Sequence, residues 1–131
     1  MLLLTVRTDK PEAELGLFDG TTQVAYEVWH AHRELSVTIL LKITDILQAQ
    51  NKTLQDIDGI VTYAGPGSFT GLRIGLTVAN TLAYSLDVPI VGITGEENWL
   101  QKGIAKLQAD GGDALALPEY GRPVHITIQK K

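Results

Sequence analysis

The chain has no cysteine in its 131 residues and only one methionine. That excludes a disulfide framework and any cysteine-ligated metal centre. Basic charge is also scarce: Lys and Arg number 11 against 15 Asp and Glu, for a net charge of −4. Proteins that grip nucleic acid by themselves carry a broad basic surface, so direct, tight RNA binding is not expected. No apolar run reaches the roughly 18 residues of a membrane span, and Met1-Leu2-Leu3-Leu4 lacks the basic start and length of a secretory signal. A soluble, cytoplasmic protein without membrane contact is the expectation. Hydrophobic residues make up 44% of the chain, enough for one domain with a real core but not for two full ones.

The most informative segment runs from Ala64 to Gly75. Before it, Asp58 to Tyr63 is rich in β-branched and aromatic residues and is expected to form a buried strand. Gly65-Pro66-Gly67 cannot continue that strand, because Pro66 lacks an amide proton and the glycines favour a tight turn. Ser68 or Thr70 then suits the N-cap of a helix from Gly71 to about Leu86.

That helix carries a surplus of apolar and small residues. Plotted at 3.6 residues per turn, they cover roughly 200° of the cylinder, about twice what packing on one sheet requires. Gly71, Gly75 and Ala79 recur at i, i+4 and i+8 inside the arc, where another backbone can approach closely. Mid-helix glycine costs about 1 kcal/mol against alanine, so close packing is expected to offset it. The partner of this stripe is either a second helix of the same domain or another polypeptide. The preceding helix, Glu34 to about Ala49, puts Leu35, Ile39, Leu40, Ile43, Ile46 and Leu47 on one face, and Val37 and Leu41 extend the apolar surface round it. Two such helices can form half of a helical bundle between subunits. The expected partner interface is Val37, Leu41, Gly71, Leu72, Gly75, Leu76, Ala79 and Ala83, with Gly65, Pro66, Gly67, Ser68 and Thr70 as loop and cap.

Further strands are expected at Leu2 to Val6, Glu14 to Phe18 and Gln23 to His30, the last two joined by the hairpin signal Asp19-Gly20. Pro89 to Ile93 makes another strand and Glu96 to Leu107 a third helix. Three strands in a meander followed by helix, strand, helix, strand, helix argue for an α/β domain with a mixed sheet of about five strands and helices on both faces. By analogy, this is the order of a ribonuclease H-like domain of the actin-like ATPase superfamily.

The segment Gly59 to Gly75 closely resembles the signature of the TsaB family, also called YeaZ. Ile39 to Leu47, Thr53 to Asp58 and Val88 to Ile93 are similar to the same family's first helix, its exit and a later strand. The resemblance covers about Leu2 to Leu100 and is most specific in Gly65-Pro66-Gly67-Ser68-Phe69-Thr70-Gly71. It implies a non-catalytic partner in making threonylcarbamoyladenosine on tRNA. The implied partners are a TsaD-like catalytic subunit that carries the metal, a TsaE-like ATPase that docks on the pair, and a second copy when the chain is alone. Contact with tRNA would be indirect.

Family members have two lobes, and this chain has room for the first alone. The expected division is a lobe over residues 1–107, a flexible polar link over 108–117, and a tail over 118–131. The tail's Pro118-Glu119-Tyr120-Gly121-Arg122-Pro123 resembles the family's usual ending, so a naturally compact form is expected. Val124 to Ile128 would add a strand or cross to a partner.

In the superfamily a nucleotide sits between the lobes, and the first hairpin supplies an aspartate near its phosphates. Here Arg7 stands in that place and Asp9 follows two residues later. No cofactor and no metal are therefore expected. The Gly-rich loop lacks the Gly-Lys-Ser/Thr of a phosphate-binding P-loop. Ser68 lies in Gly-Ser-Phe-Thr-Gly, which is not a nucleophile elbow, and no base and orienting acid are spaced to serve it. His30 and His32 would share one side of a strand and could in principle share a metal, but no third ligand is evident, so two solvated strand-end histidines are the expectation. Trp29 and Trp99 are core or interface aromatics, and Arg73 is solvated or pairs with a partner's carboxylate. Two readings of different class remain: a protein-interaction subunit, and an actin-like nucleotide-binding enzyme completed across a homodimer.

Overall fold

The inner strands are short, almost continuously buried apolar runs, and the edge strand Thr22–His30 mixes polar and apolar residues. In the computed structural model, which describes residues 1–31, 34–67, 69–113 and 115–117, β1 (Leu2–Arg7), β2 (Glu12–Asp19) and β3 (Thr22–His30) form an antiparallel meander. β4 (Gly59–Gly65) and β5 (Ile90–Thr94) then run parallel to β1, giving the order β3-β2-β1-β4-β5. The helices are α1 (Leu35–Ala49), α2 (Phe69–Leu86) and α3 (Trp99–Asp110), with a short 3-10 turn over Leu54–Asp56.

Register assigns the helices to faces. Thr5, Gly16, Tyr26 and Val61 are cross-strand neighbours and so share one face. α3 lies on that face, because the bare backbone of Gly103 packs on Val61 and Trp99 meets Tyr63 edge-on at 5.8 Å between ring centroids. Glu27 and Trp29 point the other way, and α1 covers them: Lys42 Nζ donates to Glu27 Oε2 at 2.7 Å and Trp29 Nε1 to Thr38 Oγ1 at 3.3 Å. α2 lies beside α1 on this second face. The core is therefore double: Leu4, Leu15, Leu17, Ile39, Ile43, Leu47, Ile60 and Leu72 are all fully buried, as are Leu3 and, on α3 itself, Leu107. Each such side chain contributes about 1.5–3 kcal/mol relative to staying exposed.

Several expected boundaries shift for local reasons. β2 starts at Glu12, before Glu14, and β4 includes Gly65, whose carbonyl accepts from Gly95 N–H at 2.9 Å. α2 begins at Phe69, so Thr70 sits inside its first turn and does not cap it; Ser68 lies outside the described residues. α3 starts at Trp99 because Asn98 is left-handed (φ 55°), and it ends at Asp110, beyond the expected Leu107, where Gly111 takes the left-handed C-terminal position (φ 78°). The stretch expected as a flexible link is instead held at two points. Asp113 exchanges two backbone hydrogen bonds with Ile90 (2.9 and 2.7 Å), and the Asn80 side chain grips both the N–H and the carbonyl of Ala116 (2.8 and 2.9 Å). The expected tail, residues 118–131, lies outside the described residues.

Candidate interaction face and the filled crevice

α1 turns Leu35, Ile39, Ile43, Ile46 and Leu47 into the core and leaves a second apolar row outside. Val37 is 70% exposed, Leu41 63% and Leu40 51%. Leu40, expected on one face with Leu35, Ile39, Ile43, Ile46 and Leu47, is instead exposed like Val37 and Leu41. Alongside this row runs a groove of about 360 Å³ lined by Ser36 of α1 and by Thr70, Arg73, Ile74, Thr77 and Val78 of α2. The outward face is thus apolar on α1 and mixed on α2, where Ile74 and Val78 stand among Thr70, Arg73 and Thr77, with Tyr84 exposed further along.

The small-residue stripe of α2 points elsewhere. A β-carbon on Gly75 would lie 2.0 Å from Thr8 Oγ1, and Thr8 Oγ1 itself donates to the Gly71 carbonyl at 2.8 Å. Thr8 follows β1, so the close approach is to this chain's own sheet. Leu72, Leu76, Ala79 and Ala83 are likewise buried in the core. These four residues and Gly75, expected at a partner interface, belong to the domain's interior; Gly71 is half-buried beside them. Of the expected interface residues, Val37 and Leu41 are left on the surface. Leu40 and Tyr84 are exposed as well, and Ile74 and Val78 line the groove, one step round the helical wheel from the stripe.

At the carboxyl ends of β1 and β4 the side chains form a closed cluster. Arg7 is 5% exposed and Asp9 7%. Arg7 Nε donates to Asp9 Oδ1 at 2.7 Å and its second terminal nitrogen to Asp9 Oδ2 at 3.1 Å. The guanidinium lies over the Tyr63 ring, 4.2 Å from its centroid, and 5.9 Å from that of Trp99, while exposed Glu96 approaches to 3.4 Å. Burial opposes the Arg7 charge, but the hydrogen bond and charge of Asp9, joined by Glu96, outweigh it and raise the Arg7 pKa above its ordinary value. Burial, followed by the negative charge of Asp9, pushes the Tyr63 phenol up. Tyr63 Oη donates to the Pro66 carbonyl at 2.9 Å, and Gly67 packs so closely that a β-carbon there would meet the Asp9 side chain at 2.3 Å. The Gly-rich turn is therefore fastened to the Arg7–Asp9 pair.

His30 lies 3.8 Å from Glu12, and His32 is outside the described residues. Among the described residues no three His, Asp or Glu side chains stand close enough to hold a metal. No described helix is long and apolar enough to cross a membrane.

Residues 29–110 match the profile of the family described as TsaD, tRNA N6-adenosine threonylcarbamoyltransferase. The tRNA threonylcarbamoyladenosine biosynthesis protein TsaB of Bacillus subtilis is 33% identical over 103 residues, covering 79% of this chain and 45% of that protein. TsaB of Escherichia coli is 31% identical over 115 residues, covering 83% of this chain and 49% of its own length. This chain thus spans about half the length of these relatives. Among solved structures, YeaZ from Pseudomonas aeruginosa superposes with a TM-score of 0.69 at 24% identity, over 84% of this chain and 50% of that one. RuvC from Thermus thermophilus superposes at 0.52 and 14% identity, over 98% and 87%, which fixes the fold as ribonuclease H-like. Sequence and fold together make this chain a member of the TsaB/YeaZ family, within the wider family of the tRNA threonylcarbamoyltransferases.

Proposed function

We propose that the chain is a non-catalytic subunit in tRNA threonylcarbamoyladenosine synthesis, which binds a TsaD-like transferase through the outward faces of α1 and α2. The observation that carries this is the row Val37, Leu40 and Leu41, half or more exposed, beside the groove of α2. Three large aliphatic side chains on one helix face cost solubility unless another surface covers them. A transferase whose family profile matches residues 29–110 is built on the same helix–strand–helix unit, so it can offer a similar helix pair in return. When that partner is missing, a second copy covers the face. A TsaE-like ATPase then docks on the assembled pair, and contacts to tRNA lie with the partners.

The non-catalytic reading is supported by the Arg7–Asp9 pair, which commits the buried carboxylate of the crevice to an internal arginine. The same pairing speaks against an actin-like nucleotide enzyme completed across a homodimer. Size-exclusion chromatography with light scattering tests the proposal, using the protein alone and then mixed with TsaD from the same organism. A homodimer that gives way to a heteromer is the expected result. A strict monomer that ignores TsaD would overturn it.

A further inference from the structure

In an α/β sheet, small ligands bind beyond the carboxyl ends of the strands, at the point where the chain turns outward in opposite directions. Here that point lies between the parallel pair β1 and β4, since β1 leads on to β2 at one side and β4 to β5 at the other. Arg7 is the last residue of β1, and its guanidinium stands in this crevice. Everything around it suits a planar cation. One buried carboxylate takes two of its N–H groups, one aromatic ring lies beneath it, a second stands near, and an exposed carboxylate closes the outer side. Each of the three loops that follow β1, β4 and β5 is engaged: the first through Asp9, the second through Gly67 packed on Asp9, and the third through Glu96.

We propose that Arg7 is a resident ligand of the switch-point crevice, so that its guanidinium fills the place of a small bound molecule and draws the three loops together. The cradle formed by Asp9, Tyr63, Trp99 and Glu96 is a guanidinium site. Removing the side chain leaves a cavity that takes a free guanidinium and rejects a plain ammonium, which carries the charge but lacks the planar fork.

The test is thermal unfolding of the full chain carrying Arg7→Ala, with millimolar methylguanidinium or methylammonium. Arg7→Ala is expected to melt at least about 5 °C below the parent. Methylguanidinium should recover several degrees of that loss without raising the parent's midpoint, and methylammonium should recover none. Equal responses of variant and parent, or no recovery with methylguanidinium, would overturn the proposal. If Arg7→Ala does not fold, nitrogen-15 NMR of the parent decides: a resident ligand shows an Arg7 Nε–H that exchanges far more slowly than free arginine, whereas exchange at the free rate refutes it.

Discussion

The Thr8 hydroxyl occupies the space in which a β-carbon on Gly75 would stand, and it donates its hydrogen bond to Gly71, one turn earlier on the same helix. The start of α2 is thereby set against the residue that follows β1, and glycine is required by contact within this chain. Gly75→Ala is expected to destabilise the domain by about 1–3 kcal/mol through overpacking. In a Thr8→Ala background the added cost should shrink, giving a favourable coupling in a double-mutant cycle read by urea unfolding. Additive effects would mean that the two residues do not compete for the same space.

Charge placed on the outer row of α1 should separate folding from association. Val37→Glu with Leu41→Glu alters two exposed positions, so unfolding free energy should move by no more than about 0.5 kcal/mol per site. Binding to TsaD in the chromatographic assay should be lost. Retained binding would show that the partner uses another surface.

Asn80 ties the chain after α3 back to α2 by pairing with both backbone groups of Ala116. Asn80→Ala removes the partner of both part-buried backbone groups, at an expected cost of about 1–3 kcal/mol. Amide hydrogen exchange at Ala116 should accelerate markedly, while Ile90 and Asp113, which pair through backbone alone, should change less.

Tyr26 Oη donates to Glu14 Oε1 at 2.5 Å. Burial and then the Glu14 hydrogen bond and charge push this phenol well above its ordinary pKa. Its neutral form is favoured in the folded state, so the contribution is complete below the unfolded value near 10 and is lost as pH rises through the higher folded value. Denaturant unfolding between about pH 9 and 11 should therefore show a falling stability that Tyr26→Phe flattens. An identical alkaline slope in both proteins would refute the assignment to Tyr26.

Much of the fold was legible in local pattern. The meander of β1 to β3, the strand before Gly65-Pro66-Gly67 and the long helix after it follow from alternation, turn residues and helical period, which depend on neighbours in the chain. Thr70 misled because a capping residue type says little about the residue at which the helix begins; α2 starts before it, at Phe69. The segment after α3 reads as a polar link, yet Ile90 and Asn80, distant in sequence, hold it in place.

The sequence by itself determined that α1 and α2 carry more apolar surface than one sheet can bury, and that Arg7 and Asp9 lie two residues apart beside a Gly-rich turn. Only the tertiary structure decided which side of α2 faces inward, because a helix apolar over so wide an arc can be rotated about its axis without exposing much more of it. Contact with Thr8 settled that rotation and buried Gly75 against this chain's own sheet. It also decided what Arg7 does, since the aromatic rings and the second carboxylate that complete its cradle arrive from Tyr63, Glu96 and Trp99, brought alongside by parallel strand pairing.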